Sequence, residues 1–204
     1  MKKFISYFSI IVLLYLFTWP IGIDPVAWKS EKPPEFEGQY EKNDILKDIK
    51  IFWENDGHEG PEDVVLHKNK VYVGYSDGTI MTTSGKFYNT NGRPLGMAFD
   101  NEDNLIIADA KRGLLSINPQ GTGKVLSTKS DTDNIPLRFT DDLDIANDGK
   151  IYFSDASFKY GYGNELKDLM EHKPNGRLLV YNPDTGKTST PVSYTHLTLP
   201  TILL

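Results

Sequence analysis

The sequence predicts an all-β domain built from repeated four-stranded units and preceded by one apolar helix. From residue 45 to about residue 190, short runs of β-branched and aromatic residues alternate with Gly, Asn and Asp, which is typical of strands joined by tight turns. Within this region one segment pattern occurs three times. A repeat of roughly 35 to 50 residues with four short strands favours a β-propeller, of which about the first three blades are present.

The first 28 residues are predicted to form a membrane anchor. Lys2 and Lys3 precede 20 uncharged residues, Phe4 to Ile23. A helix of that length, at about 1.5 Å per residue, crosses a hydrocarbon layer of about 30 Å. The basic pair favours a cytoplasmic N-terminus, so we expect a single-pass transmembrane helix with the rest of the chain on the non-cytoplasmic side. A cleaved signal peptide and a buried core helix are the alternatives.

Composition marks the borders of the predicted domain. Residues 29–44 are polar and contain Pro33-Pro34, as expected of a linker, so the domain is placed at residues 45–190. Residues 191–204 are predicted to be a non-native tail, because they resemble a translated sequencing adaptor. Neither this tail nor the three residues before it contain Asp, Glu, Lys or Arg. A native amphipathic or interfacial tail is the alternative.

Three segments of the domain follow one pattern, in which a short motif leads into an apolar strand, a turn and an outer pair of strands. The innermost segments begin at Glu62, Leu95 and Asp141, which are 33 and 46 residues apart. This recurring order favours propeller blades over a β-sandwich, because the strands of a sandwich have no reason to repeat. Only the segment from Asn164 to His172 is predicted to be helical, with Asn164 as its N-cap. The clearest predicted strands are Val71–Val73, Leu105–Ile107, Ile151–Phe153 and Leu178–Tyr181.

The composition excludes several classes of function. Lys and Arg number 22 against 28 Asp and Glu, so the net charge of −6 offers no basic surface to a nucleic acid. The chain contains no Cys, which excludes disulfides, thiolate metal sites and a Cys nucleophile. The four His show no metal-binding spacing, and the sequence contains no phosphate-binding loop and no nucleophile elbow.

Seven short motifs, taken in order, resemble the strictosidine synthase-like and adipocyte plasma membrane-associated protein-like family. The resemblance covers residues 45 to 190 and implies six blades around a central channel. It also implies kinship with calcium-dependent lactonases and phosphotriesterases, with a metal ion at the channel mouth. The motifs are Gly60-Pro61-Glu62, Ser76-Asp77-Gly78, Gly92-Arg93-Pro94-Leu95-Gly96, Ile107-Ala108-Asp109-Ala110, Phe139-Thr140-Asp141-Asp142-Leu143, Tyr152-Phe153-Ser154-Asp155 and Gly176-Arg177-Leu178-Leu179-Val180-Tyr181.

Glu62 and Asp141 are the predicted metal ligands. They occupy the same position in the first and third repeats, so their carboxylates are expected to converge on the inner wall of the channel. A Ca²⁺ ion with oxygen ligands would relieve their repulsion. The alternative is that each carboxylate only caps a turn, and Glu59 competes with Glu62 as the first ligand. The family usually has Asn-Asp where this chain has Asp141-Asp142, so Asp141 adds a negative charge where the family has a neutral amide ligand, and we expect altered metal binding.

The resemblance implies that the intact protein is a membrane-anchored, calcium-dependent esterase or lactonase acting on a small-molecule ester or lactone. The chain itself is expected to be inactive, because further ligands would follow residue 190. A propeller that binds a ligand or protein without catalysis is the main alternative, and a Pictet-Spengler condensing enzyme is a third. No catalytic residue is assigned.

Overall fold

The computed structural model describes residues 2–18, 22–27, 29, 32, 35–49 and 57–195. Within them, twelve strands form three antiparallel sheets of four strands, and in each sheet the strands neighbour one another in chain order. The predicted repeat of four-stranded units is therefore confirmed. The strands are β1 (Val64–His67), β2 (Lys70–Gly74), β3 (Thr79–Thr82), β4 (Gly85–Asn89), β5 (Pro94–Phe99), β6 (Leu105–Asp109), β7 (Gly113–Ile117), β8 (Gly123–Ser127), β9 (Thr140–Ile145), β10 (Ile151–Asp155), β11 (Gly176–Asn182) and β12 (Lys187–Thr195).

The N-terminal helix α1 is described from Lys2 to Thr18, within the predicted anchor. These 17 residues correspond to about 26 Å at the usual rise per residue. In the part of the chain that the structure describes, no helix combines the length and the apolar character needed to cross a membrane. The predicted transmembrane helix is therefore not supported.

The second sheet lies between the other two and is covered on both faces. Successive residues of β6 point to opposite faces, as the pleat of a strand requires. Leu105 and Ile107 pack in an apolar cluster with Tyr72 and Ile80 of the first sheet. Ile106 packs in a second cluster, which contains Phe153 of the third sheet. Burial on both faces explains why β6 is an uninterrupted apolar run.

The helix α2 (Glu165–Glu171) is the predicted helical insertion, and it lies between β10 and β11. Asn164 precedes it as predicted, although its side chain makes no capping hydrogen bond. Asp168 and Glu171 are buried, and their side chains contact the segments that connect α2 to β10 and β11. The helix ends at His172, whose φ of 53° is in the left-handed region that commonly terminates helices.

The remaining domain borders stay predictions. Residues 191–195, the first part of the predicted tail, form the end of β12 and pair with β11. Residues 196–204 lie outside the described residues. The first described strand begins at Val64, after the predicted domain start near Ile45. A short 3₁₀ helix, Gly38–Tyr40, lies in the predicted linker.

Candidate functional site

The first strands of the three sheets, β1, β5 and β9, lie side by side, with β5 in contact with both of the others. Their pairing with the second strand of each sheet is equivalent: Val64 opposes Val73, Met97 opposes Ile107, and Leu143 opposes Phe153. Glu62, Leu95 and Asp141 each lie two residues before the first member of these pairs. The equivalence predicted from the repeats is therefore present in the pairing of the strands.

Two local contacts hold the inner strands together near Glu62 and Asp141. The carboxylate of Asp63 accepts a hydrogen bond of 2.8 Å from the backbone N–H of Met97, which joins β1 to β5. Gly96 lies directly against β9, because a Cβ atom at this position would be only 2.7 Å from the Cα atom of Asp142. A side chain there would push β5 and β9 apart, so glycine sets their spacing.

Glu62 is exposed, but its carboxylate has a cationic partner. Arg93 Nη2 lies 3.2 Å from Glu62 Oε2, and the guanidinium is largely buried. Arg93 Nη1 also donates a hydrogen bond of 2.6 Å to the carbonyl oxygen of Gly60. Arg93 thus fixes both the carboxylate and the loop that carries it. The competing ligand, Glu59, is exposed, and its carbonyl oxygen accepts a hydrogen bond from the N–H of Ser76.

Asp141 is half-buried and lies in a negative environment. Burial raises its pKa to about 6, and the negative charges of Asp142 and Glu62 contribute to the increase. The effect of Glu62 means that the two predicted ligands, 79 positions apart in the chain, lie close enough for their charges to interact. The two carboxylates that the repeat pattern singles out are therefore within range of each other's charge.

The loop that carries Asp141 is fixed by a buried carboxylate, Asp155. Its Oδ1 accepts hydrogen bonds from the N–H groups of Arg138 (3.1 Å) and Phe139 (2.7 Å). Its Oδ2 accepts a hydrogen bond of 2.5 Å from Arg177 Nη2, and both of these side chains are almost fully buried. Asp155 therefore positions the residues that immediately precede Thr140 and Asp141.

Asp109 has the same role in the second sheet. Its Oδ1 accepts hydrogen bonds from the backbone N–H groups of Arg93 (2.9 Å), Lys111 (2.9 Å) and Arg112 (3.0 Å). Gly92 leaves the space that this carboxylate occupies. Both positioning residues recur at an equivalent place in the sequence, because Asp109 and Asp155 are each the last residue of the second strand of a repeat. Their motifs do not, however, predict which backbone groups these carboxylates bind.

The residues that the structure describes contain no group of three or more His, Cys, Asp or Glu arranged to hold a metal ion. Glu62 and Asp141, whose charges interact, carry carboxylate oxygens of the kind that Ca²⁺ prefers. Ca²⁺ takes about six to eight oxygen ligands, so these two residues would supply only part of such a set.

The three four-stranded antiparallel sheets pack face to face, and their first strands, β1, β5 and β9, lie side by side. This arrangement defines a protein of the β-propeller type. The solved structure of a gluconolactonase from Xanthomonas campestris has the same fold, with a TM-score of 0.52 at 15% identity over 65% of this chain and 47% of that chain.

Comparison with protein families confirms the resemblance to the strictosidine synthase-like family. Residues 38–83 match the model described as strictosidine synthase-like, N-terminal, and residues 141–197 match the model of strictosidine synthase. Strictosidine synthase-like 4 of Arabidopsis thaliana is 38% identical over 63% of this chain and 38% of its own length. The adipocyte plasma membrane-associated protein of Gallus gallus is 34% identical over 80% of this chain and 44% of its own length. The chain thus spans less than half the length of these two relatives.

Proposed function

We propose that the intact protein is a six-bladed propeller that hydrolyses a small-molecule ester or lactone with the help of Ca²⁺. The proposal depends on one observation, the pKa of Asp141, which burial raises to about 6 and to which the negative charges of Asp142 and Glu62 add. A divalent cation bound beside these carboxylates would offset both the cost of burying the Asp141 charge and the repulsion between them. The likeness to a gluconolactonase supports the fold on which this chemistry would operate.

Glu62 and Asp141 would hold the ion, and a neighbouring side chain positions each of them. Arg93 orients the Glu62 carboxylate, and Asp155 fixes the loop before Asp141. Above pH 6 the Asp141 side chain is an anion and can serve as a ligand. Bound Ca²⁺ supplies a Lewis acid for the carbonyl group of an ester or lactone. The other ligands would come from residues beyond this chain, so the chain alone is expected to be inactive.

Calcium titration by calorimetry provides the test. Glu62→Gln and Asp141→Ala should each weaken calcium binding by the intact protein and lower its activity toward aryl esters and lactones. Asp144→Asn is the matched control, because Asp144 is an exposed carboxylate on the same strand β9. Wild-type protein that binds no calcium, or variants that bind and turn over like wild type, would contradict the proposal.

One observation favours a second candidate, a propeller that binds a ligand or protein without catalysis. Arg93 already compensates the charge of Glu62, so this carboxylate does not require a metal ion. In that case the calcium titration would show no heat, and Arg93→Met would lower stability without a change in any metal-dependent property.

Membrane association through α1 is a further part of the proposal. Residues 4–18 of this helix are exposed throughout, and most of them are apolar. One group of relatives carries the name adipocyte plasma membrane-associated protein. Full-length chain should float with lipid vesicles in a density gradient, and recovery of all the protein in the dense fraction would contradict this part.

A further inference from the structure

The helix α2 carries its apolar side chains outward and its carboxylates inward. Leu166 and Met170 are 73% and 65% exposed, whereas Asp168 and Glu171 are 2% and 0% exposed. Residues four apart lie on one face of a helix, so Leu166 and Met170 form a continuous apolar ridge. A helix on the surface of a soluble domain normally has the opposite orientation.

Hydrogen bonds fix this inverted orientation. Asp168 Oδ1 accepts hydrogen bonds from the hydroxyl group of Ser157 (2.7 Å) and the side-chain amide of Asn175 (2.8 Å). Glu171 Oε1 accepts a hydrogen bond of 2.5 Å from the ammonium group of Lys159. Turning the helix to bury its apolar ridge would break these three contacts. The ridge is therefore held outward by the fold.

The chain segment that follows α1 is attached to the base of α2. The N–H of Val26 donates to the carbonyl oxygen of Glu171 (2.9 Å), and the hydroxyl group of Tyr160 donates to the carbonyl oxygen of Gly22 (3.0 Å). Lys173 and Asp24 form an ion pair at the same place. Only four Cα–Cα steps separate the end of α1 from Gly22, so the two points lie at most about 14 Å apart.

We propose that Leu166 and Met170, together with the half-exposed Val26, form a second contact with the lipid surface to which α1 binds. This inference depends on the proposed membrane association of α1, and it adds the orientation of the propeller, whose α2 edge would face the lipid. The charged residues of α2 that are not buried are the partly exposed Glu165 and the exposed Lys167, and their charges are of opposite sign. The contact would therefore depend on insertion of apolar side chains, and not on attraction to anionic lipid.

The absence of Cys from the sequence allows a direct test by single labels. Full-length Leu166→Cys and Met170→Cys, each labelled with the environment-sensitive fluorophore NBD, are mixed with phosphatidylcholine vesicles. We expect the emission of both labels to shift to shorter wavelength and to be quenched by spin-labelled lipid. Thr83→Cys is the control, because Thr83 is exposed in the turn between β3 and β4 and its label should stay in water.

The possible failures are distinguishable. If the protein floats with the vesicles while labels 166 and 170 report water, the proposed α2 contact is wrong and membrane association stands. If the protein does not float, both are wrong. A spectral shift that requires no vesicles and grows with protein concentration would mean that the ridge binds another copy of the chain, and it would also overturn the proposal.

Discussion

Replacing Asp141 with Asn should stabilise the protein above pH 6 and leave its stability unchanged near pH 4. Asp141 has a pKa of about 6 in the folded protein against an ordinary value of 3.8. The folded state therefore keeps a proton that the unfolded state loses, and the free energy of unfolding falls as the pH rises from about 4 to about 6. Asn has no charge to bury, so the variant does not suffer this loss.

The size of the effect follows from the pKa difference. A change of about two pKa units corresponds to at most about 3 kcal/mol, since solvent and salt screen a half-buried charge. Urea unfolding followed by circular dichroism, at pH 4.0 and at pH 7.5, measures the difference between Asp141→Asn and wild type. We expect a difference near zero at the lower pH and a stabilisation of about 1 to 3 kcal/mol at the higher pH.

Asp144→Asn is the control for this prediction, because it makes the same chemical change at an exposed position on the same strand. Its effect on stability should be within about 0.5 kcal/mol at both pH values, as is usual for surface substitutions. The reasoning would be refuted if Asp141→Asn changed stability equally at pH 4.0 and pH 7.5, or if the variant were less stable than wild type at pH 7.5.

Three further substitutions test the contacts around the site by urea unfolding. Gly96→Ala should destabilise by about 1 to 3 kcal/mol, because its Cβ atom would meet the backbone of the neighbouring inner strand, and unchanged stability would mean that the strands can separate freely. Asp155→Asn should cost about 3 kcal/mol by removing the nearer and fully buried anionic partner of Arg177, which would keep only the longer contact with Asp133, and a neutral result would contradict the assigned pairing. Arg93→Met should cost about 1 to 3 kcal/mol through the lost hydrogen bond to Gly60, and a variant as stable as wild type would show that this bond contributes nothing.

The repeats made the relation between Glu62 and Asp141 predictable, because equivalent positions in a repeated unit lie in equivalent places. The partner of Glu62 was not predictable in this way. Arg93 belongs to the second repeat, and its contact crosses between sheets, so it depends on side-chain conformation and not on spacing. Leu95 occupies the equivalent position in that repeat, which gives no hint that a neighbouring residue supplies a charge.

The two helices differ from expectation for separate reasons. In α2 the spacing of Leu166 and Met170 places them on one side, but hydrophobic periodicity does not say whether that side faces the core. Hydrogen bonds to Asp168 and Glu171 decide the direction. In the N-terminal segment the uncharged run continues to Ile23, whereas the described residues Gly22 and Ile23 are not helical, because the absence of charge does not by itself require helical backbone.

The burial of β6 on both faces has a consequence for how the fold comes apart. Each outer sheet shares one apolar cluster with the second sheet, whereas the second sheet belongs to both clusters. Either outer sheet can therefore open and expose one face of β6 while the other cluster stays intact, but both faces of β6 are exposed to water only when both clusters have separated. Amide hydrogens of β6 should accordingly be the last to exchange with solvent, and the outer sheets should behave as two local unfolding units that share one persistent centre.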